Sequence, residues 1–251
     1  MNELLLIRPD WPAPAAVHAF ATTRGGGVSS GAWASLNLGD HVEDDPAAVA
    51  ENRRRLSHAA GLPREPRWLV QVHGRAVADA AVAPRRTPAD AMVSRLPGAV
   101  CAVLSADCLP VLFCDERGSC VAAAHAGWRG LAAGVLEATV AALVAGGTRT
   151  RELMAWIGPA IGAAAYEVGE EVRSAFLAVD AGAAAGFSAN ARGRWQLDLA
   201  GLARRRLAAA GIGRVYGGQH CTYSDPQRFF SHRRDGRCGR QAALVWIEAP
   251  C

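Results

Sequence analysis

Between Ala99 and Val144 the chain runs through three apolar stretches, a glycine-rich turn and a segment of helix length, and this order constrains the fold more than any other feature. The stretches Ala99–Ser105, Val111–Asp115 and Cys120–Ala124 have the length and composition of buried strands. Polar interruptions separate them: Ala106-Asp107-Cys108-Leu109-Pro110 follows the first and Arg117-Gly118 the second, so three adjacent strands are the simplest expectation. The third leads through Ala126-Gly127-Trp128-Arg129-Gly130 into a helix over Leu131–Val144, closed by Gly146-Gly147.

The alternation continues on both sides. A helix from Asp45 to Gly61 has Asp45 as its cap, Pro46 in its first turn and glycine at its stop. A short strand over Trp68–Val72 ends at Gln71-Val72-His73-Gly74, and the proline-bearing segment Ala80–Pro97, with its Arg85-Arg86 pair, reads as a surface loop. Further on come a strand near Leu153–Ile157, a helix near Val168–Phe176, an Ala/Gly-rich loop, a helix over Asp198–Ala210 and a last strand at Ala242–Ile247. The expected fold is an α/β layered sandwich in which helices flank a mixed β-sheet covered on both faces, in a single domain spanning residues 1–251. No linker-like stretch and no repeat of fixed period argues against one domain.

Composition narrows the function. All 27 basic residues are arginines, and they are spread along the chain rather than gathered in a stripe, so no nucleic-acid partner is expected. The apolar run in MNELLLIRPDW is too short for a signal peptide and no long uncharged stretch suggests a membrane span, which points to a cytoplasmic protein with no membrane partner. There the seven cysteines serve as thiols, ligands or nucleophiles rather than staples. The absence of a heptad seam or an apolar surface stripe leaves the oligomeric state open.

Three residues stand where polar groups interrupt the apolar runs. His73 precedes Gly74, Cys108 follows Asp107, and His125 opens the Gly-Trp-Arg-Gly turn. Two imidazoles and a thiolate suit a catalytic zinc, which takes three protein ligands and keeps a fourth position for water or substrate. Their spacing is too wide for a zinc finger, so strand ends in a sheet would have to bring them together. The spacing alone is equally compatible with three structural residues on buried strands.

The motifs carry a family resemblance. They are Thr22-Thr23-Arg24-Gly25-Gly26-Gly27-Val28-Ser29, Ser35-Leu36-Asn37-Leu38-Gly39, Glu51-Asn52-Arg53, Gln71-Val72-His73-Gly74, Ala106-Asp107-Cys108-Leu109-Pro110, His125-Ala126-Gly127-Trp128-Arg129-Gly130, Ile157-Gly158-Pro159-Ala160-Ile161-Gly162 and Phe230-Ser231-His232-Arg233-Arg234-Asp235-Gly236. Over almost its whole length the chain resembles the laccase-domain proteins, first called multicopper polyphenol oxidoreductases and later described as purine nucleoside phosphorylases and, in some bacteria, as a peptidoglycan editing factor. The resemblance implies a metal site at His73, Cys108 and His125. It also implies phosphorolysis of adenosine, inosine and methylthioadenosine, and deamination of adenosine, with nucleoside and phosphate as small-molecule partners. Two positions depart from the family's pattern: Cys238 stands where threonine is more usual, and His232 where an aromatic residue is frequent.

An open zinc position activates water or polarises a substrate atom, and deamination also needs a proton shuttle, for which Asp107 is the candidate. Phosphorolysis needs an anion pocket, for which Arg24, Arg129 and Arg233 are the candidates, since each puts a guanidinium fork in a polar or glycine-rich loop. Asn37 and Gln71 are candidates for ribose or base. An arginine in a loop is equally compatible with a surface charge or a clamp on carbonyls. Either amide is equally compatible with a local backbone contact. The Gly25-Gly26-Gly27 cluster lacks the pattern of a P-loop and reads as a flexible substrate loop. Three other functions remain in view: a metal-free Cys108/His125 hydrolase or amidase acting on an aminoacylated cell-wall precursor, polyphenol oxidation with copper, and a non-catalytic binding role.

Overall fold

The computed structural model describes residues 4–249; the first three residues of the N-terminal run and Cys251, one of the seven cysteines, lie outside them. In chain order the strands are β1 (Leu6–Ile7), β2 (Val17–Thr22), β3 (Val77–Asp79), β4 (Ala91–Ser94), β5 (Cys101–Ser105), β6 (Leu109–Asp115) and β7 (Val121–Ala126), then β8 (Leu153–Ile157), β9 (Glu167–Val168), β10 (Phe187–Ala189), β11 (Trp195–Leu197), β12 (Val215–Gly217) and β13 (Gln241–Ile247). The helices are α1 (Pro46–Ala59), α2 (Trp128–Ala133), α3 (Val135–Ala145), α4 (Glu170–Leu177), α5 (Leu199–Ala209) and α6 (His232–Asp235). None of the described helices is long and apolar enough to cross a membrane.

A six-stranded mixed sheet, ordered β12-β8-β6-β7-β4-β3, forms the centre. Side chains alternate across it with the period of a strand. Val111, Phe113, Ala122 and Ala124 face one way, onto Leu136 and Val140 of α3, Phe176 of α4 and Leu202 of α5. Leu112, Cys114, Ala123 and Trp156 face the other way, onto Val103, Ala243 and Val245. Those three belong to a four-stranded antiparallel sheet, ordered β1-β2-β13-β5, whose outer face packs Phe20, Leu244 and Trp246 against Leu56 of α1 and Trp68. The third sheet is small and three-stranded, ordered β10-β11-β9. The mixed sheet flanked by helices is as expected. The second sheet stacked on it explains why β5, β6, β7 and β13 read as unbroken apolar runs, since each is buried on both faces.

Several boundaries differ from expectation. The runs flanking the Asp107-Cys108 turn are not neighbours, because β5 pairs with β13 in one sheet while β6 pairs with β7 and β8 in the other. The turn therefore crosses between sheets. The proline-bearing segment is only partly surface: β4 lies between β3 and β7 with Ala91 and Met92 fully buried, and the prolines bracket it. Trp68–Val72 is not a strand; only Val70 makes a bridge, to Pro88. The helix expected over Leu131–Val144 is two helices, broken where Gly134 adopts φ 93°, a left-handed conformation that no α-helix continues through.

The glycine cluster is pinned rather than flexible. A Cβ on Gly27 would lie 2.1 Å from the Ser35 carbonyl, so only glycine allows that approach. Buried Asn52 of α1 ties this loop down: its amide nitrogen donates to Ser29 Oγ, Ser35 O and Asn37 O, and its oxygen accepts from Val28 N–H at 2.8 Å. Replacing Asn52 by Ala leaves these groups without partners. It should cost about 2–3 kcal/mol, which in a chain of this size lowers the melting temperature by roughly 5–10 °C. Scanning calorimetry checks this, and an unchanged transition would remove Asn52 as the loop's anchor.

Candidate metal centre

One buried carboxylate organises the site. Asp90, in the turn that enters β4, accepts the backbone N–H of His73 on Oδ1 at 2.9 Å and those of Gly74 and Val72 on Oδ2 at 2.7 and 3.2 Å. These three donors point at one anion because His73 takes φ 58°, a turn that gathers successive N–H groups into a concave nest. The same Asp90 Oδ1 lies 2.9 Å from His125 Nδ1, at the end of β7. With Nδ1 held there, His125 presents Nε2 to the site.

Cys108 arrives by the inter-sheet crossing. Asp107 turns the chain with φ 94°, its Oδ1 accepting from Thr222 Oγ1 and its Oδ2 from Arg233 N–H, both at 2.6 Å. The glycines of the His125–Gly130 segment supply room. A Cβ on Gly127 would sit 2.8 Å from His73 Cδ2 and 2.9 Å from Cys108 Sγ, and one on Gly130 would sit 3.0 Å from the Gly74 carbonyl.

The result is one compact donor set. One donor atom from each of His73, Cys108 and His125 lies within 4.8 Å of the others, with Cys108 Sγ 3.8 Å from His73 Nε2. Zinc bonds of about 2.3 Å to sulfur and about 2.0–2.1 Å to nitrogen put neighbouring ligands of a tetrahedron about 3.5 Å apart, so the donor set fits such an ion after small adjustments. Electrostatics agree. Burial pushes the Cys108 thiol up, yet the adjacent His125 and His73 outweigh it and bring it from 9.0 to about 6. His125 moves in the opposite sense: burial lowers it, but the Cys108 thiolate and Asp90 raise it overall. Asp90 stays below the ordinary carboxylate range because His125 and the nest of N–H groups outweigh its burial.

A cavity of about 380 Å³ opens on this cluster, and beside the donor set its wall includes His41, Gln71, Ser105, Arg129, His232 and Arg240. Residues 18–248 match the family described as multi-copper polyphenol oxidoreductase laccase. The chain belongs to this family. Its laccase-like relatives include a Pseudomonas aeruginosa protein named purine nucleoside phosphorylase PA4543, 56% identical over 96% of this chain and 98% of its own length. The Escherichia coli protein named purine nucleoside phosphorylase YfiH is 51% identical, with the same coverage. Among solved structures, Neisseria meningitidis protein NMB0706 superposes with a TM-score of 0.92 at 50% identity, covering 99% of this chain and 100% of its own. YlmD from Geobacillus stearothermophilus follows at 0.88 and 32% identity, covering 99% of this chain and 97% of its own.

Of the residues expected to bind substrate, two line the laccase-like cavity. Gln71 does so with both ends of its amide bonded to the Leu104 backbone, at 2.8 and 2.7 Å. Arg129 is the second, stacked over Trp128 at 4.4 Å. The others are not among its lining residues. Arg24 donates to the Ala34 and Pro226 carbonyls, and Arg233 to the Glu167 carbonyl, as clamps on the backbone. Asn37 is fully buried among Gly39, Asp44 and Arg240. Asp107 has both carboxylate oxygens engaged, by Thr222 Oγ1 and the Arg233 N–H, and is not among the residues that line the cavity. Cys238, at the position where threonine is more usual, is buried against Ala106 and Phe230.

Sequence reasoning missed Asp90, His41 and Arg240. Asp90 left a signal: an acid at the head of a short apolar run, in a segment its prolines made look like loop. His41 and Arg240 are polar loop residues with no local pattern. Replacing Asp90 by Asn should weaken metal affinity about tenfold to hundredfold by loosening His125, measurable by competition with a chelating dye. In metal-free protein, alkylation of Cys108 followed by peptide mass spectrometry should rise as pH climbs through about 6 and be suppressed below it, because a depressed pKa keeps the thiolate present down to that value. A midpoint near 9.0 would contradict the coupling to the two histidines.

Proposed function

We propose that this protein cleaves purine nucleosides by phosphorolysis, with adenosine deamination as a second reaction in the same cavity, and that His73, Cys108 and His125 hold one zinc ion. The observation that carries the proposal is the conjunction of a compact His-Cys-His donor set with an arginine-bearing cavity in a chain more than half identical to a protein named purine nucleoside phosphorylase. The substrates are adenosine, inosine and methylthioadenosine. A zinc bound there would supply a Lewis acid at the cavity floor.

In phosphorolysis a phosphate oxygen attacks the anomeric carbon as the glycosidic bond breaks. The bonding pair leaves on the purine, which takes up a proton, and the sugar leaves as its phosphate ester. The chain's part is to hold the anion against the sugar and to supply that proton; Arg129 serves the first and a cavity imidazole the second. Deamination exchanges the purine amino group for water's oxygen and releases ammonia. Asp107 is held by Thr222 and the Arg233 N–H, and His41 and His232 are the imidazoles on the wall beyond the proposed ligands that can carry its proton. The six described cysteines are all unpaired, which supports the cytoplasmic location included in the proposal.

Two observations bear on the alternatives. The depressed Cys108 and raised His125 form the thiolate–imidazolium pair of a cysteine hydrolase, and that reading becomes the better one if the protein carries no metal. The described residues contain a single group of three metal-binding side chains, which is too few for the several copper centres of a polyphenol oxidase.

Protein purified without added metal should contain about one zinc per chain, against little copper. It should release adenine from adenosine only when phosphate is present and form inosine with or without it. The Cys108→Ala variant should lose both the metal and at least about a thousandfold of turnover. Retention of full turnover by that variant would overturn the assignment.

A further inference from the structure

We infer that the phosphate subsite of this cavity is built on Arg240, with Arg129 as its second guanidinium. This inference rests on the phosphorolytic reading above and locates its anion. No Asp or Glu is among the residues that line the cavity, while two arginines are, so it favours an anion before any metal is counted.

Arg240 is placed with care. It directly precedes β13, whose Gln241 pairs with Ser105, and Ser105 ends β5 just before the crossing that carries Cys108. Its backbone N–H donates to Asn37 Oδ1 at 2.8 Å and its carbonyl accepts from Leu38 N–H at 3.0 Å. The side-chain stem lies over Gly39, where a Cβ would come within 2.8 Å of Arg240 Cγ. Asn37, a candidate for ribose or base from its motif, thus fixes the residue that faces the cavity. The guanidinium is tethered on one side only: Nη1 donates to the carbonyls of Cys238 and Gly239 at 2.8 and 3.1 Å and contacts Cys238 Sγ at 3.5 Å. Among the described residues, Nε and Nη2 have no hydrogen-bond partner, and no carboxylate pairs with Arg240 or with Arg129.

That leaves each arginine with donors for a tetrahedral oxyanion, whereas Arg24 and Arg233 donate to backbone carbonyls. His41 and His232 share the Arg240 wall, and beyond these three the surface continues into an adjoining hollow of about 300 Å³. Burial and the nearby Arg240 charge hold the His41 imidazole below its ordinary pKa.

The test compares wild type with Arg240→Met as zinc-loaded proteins, using inorganic phosphate in calorimetric titration and in steady-state nucleoside cleavage. The expected result is a rise of about tenfold to hundredfold in the phosphate Kd and KM, with the nucleoside KM unchanged, the melting temperature lowered by no more than the few degrees that the lost contacts to Cys238 and Gly239 account for, and partial recovery in Arg240→Lys. Arg129→Met is the second variant. Its guanidinium makes no hydrogen bond to the described residues, so its loss should spare the fold and raise the phosphate constants in the same selective way. Unchanged phosphate constants in both variants overturn the inference, as does a parallel rise in phosphate and nucleoside KM. Phosphate binding that needs Arg240, in a wild type that cleaves no nucleoside, would sustain the subsite and end the phosphorolytic reading. Phosphorolysis that ignores both substitutions would do the reverse.

Discussion

The hydrogen bonds gathered by Asp90 hold the site together. One fully buried carboxylate collects three consecutive backbone N–H groups around His73 and the Nδ1 of His125, and so fixes two donors from distant parts of the chain against each other. Burying that charge is tolerable because its lone pairs are satisfied by N–H groups. The arrangement explains why His73 holds a left-handed turn that a β-structure would not choose, and why β4 is threaded between β7 and β3 although its flanks are rich in proline. A carboxylate behind an imidazole also fixes the ring's tautomer and strengthens it as a ligand.

The stacking of two sheets supplies the third donor. A chain that leaves β5 in one sheet and enters β6 in the other must turn sharply, and Asp107 performs that turn by bonding to Thr222 and to the start of α6. Cys108 is then delivered to the edge of the inter-sheet region, where glycine at position 127 leaves space for its sulfur and for the His73 ring. The cavity in front combines a low-pKa thiol, imidazoles and two arginines without carboxylates, so its charge pattern matches an anionic co-substrate beside a metal. Asn52 of α1 and Asn37, two buried amides within the first sixty residues, hold the loop on which the Arg240 wall rests.

Much of this was legible in the sequence. Asp45 caps α1, β8 spans Leu153–Ile157 as expected, and Asp198 caps α5, because capping and hydrophobic runs are local signals. The donor triad was legible through its place at polar interruptions and through the family resemblance. What escaped depended on long-range pairing: which sheet β5 joins, the strand hidden between prolines, and the carboxylate that sits behind His125. The substrate residues divided along the same line. Arg129 is on the cavity wall, while Arg24, Arg233 and Asn37, equally attractive by motif, complete backbone hydrogen bonds, and Arg240 has no local signal because Gly39 and Asn37, which place it, are distant in sequence.

The most direct measurement is X-ray absorption at the zinc edge on protein loaded with one equivalent of zinc. The account predicts a four-coordinate ion with one sulfur at about 2.3 Å and nitrogen or oxygen neighbours at about 2.0–2.1 Å. An ion surrounded by nitrogen and oxygen alone would contradict it, because Cys108 would then stand outside the centre that the two sheets are folded to assemble.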